Sequence, residues 1–182
     1  MQVKDIIKLA CSFTENEALI AKIEANTLTS DENLIVDCLV NCFNLVNNEI
    51  ATEYVPYLKT QTFQTDSFKI DFTNFTYSLN EIISVKDNKG RNIKYKIFDS
   101  YVMALANEVE ITYSCHPSAL SLSQSLTTLI PERVYAYGIA REYYFIKTLF
   151  DDASVWENKF KDSLQVLTRK KGEIVMPGRS WR

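Results

Sequence analysis

The sequence predicts an α+β fold in which helices from both ends of the chain form one body and an antiparallel β domain is inserted between them. Apolar residues recur at helical spacing up to Pro56 and again after Pro131. Between them, residues 57–114 alternate apolar with polar side chains and are rich in threonine and aromatic residues. Because helical periods flank the alternating region, the β domain interrupts the helical body.

Two short helices are predicted at the start of the chain. The first is an amphipathic segment, Val3–Phe13. Thr14 and Glu17 have the spacing of a capping box, in which a hydroxyl and a carboxylate bind free backbone amides at a helix start. The spacing therefore predicts a second helix from this box to about Ala25.

A third and longer helix is predicted to end before Pro56. Ser30 or Asp31 supplies its N-terminal cap, because short polar side chains accept hydrogen bonds from the first backbone amides. Proline lacks an amide hydrogen and stops the helix at its other end. The apolar residues at helical spacing are Leu34, Ile35, Cys38, Leu39, Cys42, Phe43, Leu45, Val46 and Ile50.

The alternating region contains a predicted β-hairpin and further strands. Residues 81–87 and 91–99 flank residues 88–90, an Asn-Lys-Gly turn whose glycine accepts a positive φ. Residues 103–114 supply at least one more strand. The serine-rich residues 116–128 then form a loop that returns the chain to the helices.

Two antiparallel helices are predicted at the C-terminal end. The first begins at Pro131, where proline is tolerated because the first-turn amide lacks a partner, and runs to about Phe150. It is apolar on nearly every side, which predicts cover from another subunit. Asp151 and Asp152 break it and cap the second helix. The second helix has one predicted packing face, formed by Trp156, Phe160, Ser163, Leu164 and Leu167.

Composition and charge exclude several classes of protein. The 182 residues carry a net charge of -3, which argues against a protein whose whole surface binds nucleic acid. No apolar run has the length needed to span a membrane, and acids near the N-terminus argue against a signal peptide. The sequence thus predicts a soluble, unexported protein with no membrane partner.

Sequence motifs of catalysis are absent. The single histidine, His116, precedes a proline in the predicted loop, and no glycine-rich phosphate loop, GxSxG or HExxH motif occurs. Cys38, Cys42, Cys115 and His116 supply the residue types of a zinc site, but cysteines at helical core spacing are better explained as buried thiols. The sequence therefore predicts no enzyme, no cofactor and no metal site.

Three tyrosines of the predicted helix after Pro131 are candidates for a subunit contact. Tyr135, Tyr143 and Tyr144 combine a large apolar ring with a hydroxyl that needs a partner, which suits an interface. Stacking on nucleobases is the alternative if such rings lie open beside basic residues.

A basic run ends the second helix of the pair, at Arg169, Lys170 and Lys171. Cations at this position complement the helix dipole, and the same charges can face DNA. A nucleic-acid-binding accessory module, which uses this run with Arg179 and Arg182 on phosphates, is therefore the alternative function.

The residues after Pro131 carry a resemblance to a known family. They contain Tyr-x-x-Ala-x-Glu-Tyr at 137–143, Asp-Asp-Ala-x-x-Trp-x-x-x-Phe at 151–160, the basic run, and Met-Pro-Gly-Arg-Ser-Trp-Arg at 176–182. With the helical N-terminus and the inserted β region, this set resembles the head–tail connector (adaptor, or head-completion) proteins of tailed bacteriophages. The β region is larger than the loops of small connectors, which suggests a fuller β domain that contacts the next tail component.

The resemblance implies a virion protein that forms a ring, typically of twelve identical subunits, beneath the portal protein at the head–tail junction. Such a ring continues the DNA channel, contacts passing DNA transiently and joins the capsid to the next tail or neck protein. It assembles in the host cytoplasm. In that family the C-terminal tail commonly reaches into the portal. The candidate docking residues here, toward the portal or a neighbouring subunit, are Ile174, Met176, Arg179, Trp181 and Arg182.

These observations divide the chain into four parts. Residues 1–56 and 129–171 form the predicted helical body, and residues 57–115 form the inserted β domain. Residues 116–128 form a linker loop, and residues 172–182 form an extended docking tail.

Overall fold

A computed structural model of the chain describes residues 1–168, which contain five α-helices and two three-stranded antiparallel sheets. The predicted α+β fold is confirmed. The helices are α1 (Val3–Phe13), α2 (Ala18–Ala25), α3 (Ser30–Glu49), α4 (Glu132–Ile146) and α5 (Phe150–Thr168). The strands are β1 (Leu58–Gln64), β2 (Lys69–Asp71), β3 (Leu79–Asp87), β4 (Tyr95–Ile97), β5 (Tyr101–Ala104) and β6 (Glu108–Cys115).

The helical body is built around α4, which packs against α1, α3 and α5. Small residues let these helices approach closely, because Gly138 and Ala140 of α4 and Ala10 of α1 are buried at the contacts. The largest fully buried side chains of this core are Phe43, Tyr135, Phe160, Ile6, Ile7, Ile23, Leu39, Ile139 and Leu164. The helical body thus has a hydrophobic core of its own.

Two predicted helix caps are wrong by position. The capping box of α3 is formed by Thr29 and Glu32: the Glu32 amide donates to Thr29 Oγ1 at 3.4 Å and the Thr29 amide donates to Glu32 Oε2 at 2.9 Å. Thr14 does not begin α2. Its hydroxyl donates to the Ala10 carbonyl at 3.0 Å and so satisfies the C-terminal end of α1. A threonine three residues before a glutamate can cap the start of the following helix, as Thr29 does, or bind a carbonyl at the end of the preceding helix, as Thr14 does. Packing decides which of the two roles it takes.

α3 and the π-helical turn that follows it, Ile50–Tyr54, form one long helix that ends before Pro56. The stretch Ser30–Tyr54 is long and apolar enough to cross a membrane by length and composition alone, in contrast to the prediction that no apolar run has the necessary length. Core helices of soluble proteins meet the same criterion. Leu39 and Phe43 of this helix lie in the hydrophobic core, which accounts for its apolar face.

The β domain consists of two small sheets with strand orders β1-β6-β3 and β2-β5-β4. The predicted hairpin between residues 81–87 and 91–99 forms only at its turn, where Gly90 has a φ of +76° and the Asp87 side chain accepts from the Lys89 and Arg91 amides. Pairing then stops after the bridge between Lys86 and Asn92, and β4 pairs with β5 instead.

A second hydrophobic core explains why β4 leaves its sequence neighbour. Phe63, Val85 and Ile111 of the first sheet pack in one buried cluster with Ile70 and Val102 of the second. If the hairpin continued, β4 would extend the first sheet. Because β4 pairs with β5 instead, it becomes part of the second sheet, which covers the apolar face of the first sheet.

The connection between α4 and α5 lies earlier than predicted. It consists of residues 147–149, and Thr148 has a φ of +59°. Asp151 and Asp152 do not break the helix pair but lie in the first turn of α5, where acids complement the helix dipole. On the predicted apolar face of α5, Phe160 and Leu164 are fully buried, whereas Leu167 is exposed.

Gly138 marks the closest approach of α4 to its neighbours and supports a first prediction. A Cβ atom at this position would lie 2.6 Å from Val46 Cγ1 and 3.0 Å from Phe160 Cε2. We expect Gly138→Ala to lower the free energy of unfolding, because overpacking costs about 1–3 kcal/mol and outweighs the roughly 1 kcal/mol that alanine otherwise contributes in a helix.

Urea denaturation followed by circular dichroism measures this effect. Ser154→Ala is the matched control, because Ser154 is exposed on α5 and alanine there should leave stability unchanged or slightly raise it. A Gly138→Ala variant as stable as the wild type would show that α3 moves aside without cost.

Candidate assembly surface

The C-terminal end of α4 and the start of α5 expose an apolar surface, the α4–α5 corner, which comprises Phe145, Ile146, Leu149 and Phe150. Their exposed fractions are 44%, 55%, 48% and 62%. The rings of Phe145 and Phe150 contact each other with centroids 6.2 Å apart, so the exposed side chains form one patch. Exposed acids at Asp151 and Asp152 border it. Contiguous apolar patches of this kind mark interaction sites in soluble proteins.

Two of the three tyrosines predicted at a subunit contact are buried inside the protomer. Tyr135 is 2% exposed and Tyr143 is 8% exposed. The Tyr135 hydroxyl donates to Asn47 Oδ1 at 3.4 Å, and burial raises the pKa of this tyrosine. Neither ring has surface left for a neighbouring subunit, because α4 packs against three other helices. The prediction of an interface role for these two residues is therefore wrong.

Tyr144 is half-buried at the edge of the helical body. Its hydroxyl donates to the Phe13 carbonyl at 3.1 Å, which joins the end of α4 to the end of α1. Burial is the main cause that raises the pKa of Tyr144, and the charges of Glu15 and Asp152 raise it further. Tyr144 directly precedes Phe145 of the α4–α5 corner in the sequence. An interface role for Tyr144 stays a prediction.

A buried ionic cluster holds α3, α4 and α5 together behind this surface. The Arg141 side chain is 7% exposed, and its guanidinium donates to both carboxylate oxygens of Glu49, at 3.1 and 2.5 Å. It also donates to Glu157 at 2.8 Å and to Glu142 at 2.6 Å. The Arg141 Nε has no hydrogen-bond partner among the described residues. The guanidinium carbon lies 4.8 Å from the centroid of the Phe160 ring.

The charges of this cluster stabilise one another. Burial works against the charge on Arg141, but hydrogen bonds to Glu49 and Glu157 outweigh it and raise the pKa of the guanidinium. Burial likewise disfavours ionised Glu157, but hydrogen bonds from Lys161 and Arg141 outweigh it and lower the pKa of that carboxyl. Arg141 and Glu157 are thus both ionised near neutral pH, and neither is poised to exchange a proton there.

The cysteines are placed as core thiols. Burial raises the pKa of Cys11 to about 11 and that of Cys42 to about 12, with a further contribution from Cys38 in the second case. Cys115 is buried in the β domain, where its thiol donates to the Tyr57 carbonyl at 3.4 Å. Within residues 1–168, no group of three or more His, Cys, Asp or Glu side chains is arranged to hold a metal ion.

A second surface feature, the interdomain cleft, lies where the helical body meets the β domain. It has a volume of about 340 Å³. Its walls come from the end of α3 and the π-helical turn on one side, the loop 116–130 on another, and Tyr77 of the β domain. Asn47 and Tyr135 contribute polar groups to the lining. This cleft was not predicted from the sequence, because the residues of its walls are distant from one another in the chain.

The loop that forms one wall of the interdomain cleft is held by hydrogen bonds. The Asn44 side chain of α3 donates to the Leu120 carbonyl at 3.0 Å and accepts from the Leu120 amide at 2.8 Å. A backbone bridge joins Gln2 to Ser125. At the cleft, His116 Nδ1 lies 3.0 Å from Asn48 Oδ1. The cleft wall is therefore tied to the helical body at several points.

The remaining predicted site residues lie outside the described part of the chain. They are the possible DNA-facing residues Arg169, Lys170 and Lys171 and the docking residues Ile174, Met176, Arg179, Trp181 and Arg182. Comparison of the sequence with protein-family models and with curated proteins gave no match. The resemblance to head–tail connectors therefore stays a prediction.

Proposed function

We propose that this protein is a structural subunit of a ring at the head–tail junction of a tailed bacteriophage, where the ring continues the DNA channel beneath the portal and joins the capsid to the tail. The observation that carries the assembly part of this proposal is the α4–α5 corner. Its four apolar side chains are each about half exposed although they adjoin a well-packed core. Burying them against another copy removes apolar surface from water.

The arrangement behind the corner suits a ring subunit. The buried Arg141 cluster and the Tyr144 hydrogen bond hold α1, α3, α4 and α5 in fixed positions, so the corner presents a rigid surface. Rigid surfaces lose little conformational entropy on association. The inserted β domain, with its own core, provides a separate surface for the next tail or neck protein.

The test is a double substitution at the corner, Phe145→Ser with Phe150→Ser. Both side chains are exposed, so we expect the melting temperature to change little while self-association is lost. Light scattering over a range of protein concentrations measures the association, and electron microscopy of the wild-type assemblies should show rings with a central channel, which we expect to contain twelve subunits.

Val166→Ser is the matched control, because Val166 is 76% exposed on α5 but lies about 24 Å along the helix from Phe150. It should associate like the wild type. A double variant that still assembles would exclude the corner as the contact. A wild-type protein that stays monomeric both alone and with a connector-less portal ring would contradict the proposed function itself.

A further inference from the structure

The sheet β2-β5-β4 has one face toward the hydrophobic core of the β domain and an outer face on the opposite side. Ile70 of β2 and Val102 of β5 are buried on the core face. Successive side chains of a strand point to opposite faces, so the residues that alternate with them lie on the outer face. The strand register places Lys69, Met103 and Lys96 in one row of that face and Asp71 and Tyr101 in the next. Both lysines are exposed, so this face is open to solvent.

The outer face carries a stack of two aromatic rings with one end open. The Phe98 amide donates to the Tyr101 carbonyl at 2.9 Å, and the two rings stack with centroids 4.6 Å apart and planes 16° apart. Lys69 Nζ lies 5.1 Å from the centroid of the Tyr101 ring. Because β2 and β4 flank β5, Lys69 and Phe98 lie on opposite sides of Tyr101. Phe98 is 40% exposed, and within residues 1–168 no other ring stacks on it, so a further planar group can extend the stack.

Two lysines at the β4 edge of the sheet lie next to this stack. Lys94 and Lys96 precede Phe98 at alternate positions, are exposed and form no ion pair within residues 1–168. An open groove of about 680 Å³ at this edge is lined by Ile93, Lys94, Tyr95, Lys96, Met103 and Leu105. Residues 86–96 contain five cations and one acid, although the chain has a net charge of -3. Asp71 lies on β2, at the opposite edge of the sheet, so the β4 edge is locally basic.

We infer that the outer face of this sheet binds a single-stranded nucleic acid, with a base stacked on Phe98 and phosphates held by Lys94 and Lys96. An open aromatic ring beside cations suits unpaired nucleotides, because the ring stacks on a base while the cations contact the backbone. An acidic peptide would use the lysines but not the ring. A duplex would present phosphates, but its bases are stacked inside. Stacking tolerates every base, so strands of DNA and RNA should bind with little sequence preference.

The experiment measures binding of labelled oligothymidylate and oligouridylate, each about 12 nucleotides long, to the full chain by fluorescence anisotropy at about 50 mM salt. Phe98→Leu keeps an apolar side chain but removes the ring, so we expect both strands to bind about tenfold more weakly. The same substitution should leave binding of a DNA duplex of equal length unchanged. Phe145→Leu is the matched control, because it removes a ring that is 44% exposed on α4 and should not affect binding.

A second variant tests the phosphate contacts. Lys94→Gln with Lys96→Gln should flatten the dependence of log affinity on log salt concentration by about 1.4, or roughly 0.7 for each lost contact with a single strand. Lys147→Gln with Lys159→Gln makes the same charge change at exposed positions of the helical body and should leave the slope unchanged. Equal binding of the single strands by wild type and Phe98→Leu would overturn the inference. Displacement by polyglutamate as readily as by unlabelled oligothymidylate would also overturn it, because the lysines would then select an acidic protein.

Discussion

Replacing Phe160 with alanine should lower the free energy of unfolding by about 3–5 kcal/mol, because the substitution removes a fully buried ring and leaves a cavity. The ring, which belongs to α5, contacts two other elements, α4 and the π-helical turn after α3. It fills the space beside Gly138 of α4, makes an edge contact with Tyr54 at 6.4 Å and carries the Arg141 guanidinium at 4.8 Å.

Phe150→Ala is the matched control for this substitution. It makes the same chemical change in the same helix, but Phe150 is 62% exposed, so little buried surface is lost. Urea denaturation of both variants, followed by circular dichroism, separates a core role from a surface role. Similar losses of stability in the two variants would mean that α5 is not held to α4 by Phe160.

Replacing Arg141 with methionine should also lower the free energy of unfolding by about 3–5 kcal/mol, because the carboxylates of Glu49, Glu142 and Glu157 are then left close together without their shared cation. Methionine keeps most of the side-chain length, so the loss reports on charge rather than volume. Adding Glu49→Gln to the variant should restore part of the stability, since it removes one of the three charges.

Arg91→Met is the control for the loss of an ion pair as such. Arg91 bonds Asp87 at 2.7 Å, but its side chain is 71% exposed, and an exposed pair contributes little. An Arg141→Met variant that is no less stable than Arg91→Met would show that the cluster does not hold the three helices together.

The pH dependence of the Arg141→Met effect follows from the lowered pKa of Glu157. In the folded wild type, ionised Glu157 stabilises the protein at pH values above its ordinary pKa of about 4.3, and this contribution is lost as the pH falls through the lower folded-state value. Without Arg141, one cause of the lowered pKa is removed. We therefore expect the stability difference between wild type and variant to be largest near pH 7 and smaller near pH 4, as measured by denaturation at both values.

The order and type of the main elements could be predicted from the sequence. Helical spacing from Leu34 to Ile50 identified α3, Pro56 located its end, and the alternation after Tyr57 identified the β domain. These signals are local, since each rests on residues within one or two turns or one strand. Boundaries were less accurate, as shown by the Thr29 cap and by the connection at residues 147–149.

The candidate surfaces could not be predicted in the same way. The apolar residues of α4 were equally consistent with burial inside the protomer and with contact to another subunit. Only the packing of the folded chain showed that Tyr135 and Tyr143 are covered by the protomer, whereas Phe145 and Ile146 are exposed. The interdomain cleft was missed because its lining combines residues near position 50 with residues near position 130.

By itself the sequence determined the α+β class, the helical body from both chain ends, the inserted β domain and the core character of the thiols. These follow from periodicity, proline and composition, which act over short distances along the chain. Only the tertiary structure decided that β4 pairs with β5, that Arg141 binds a glutamate 92 residues away, and which end of α4 stays exposed. Each of these depends on which distant surfaces meet, because burial of apolar area and pairing of charges are properties of the folded chain rather than of any one segment.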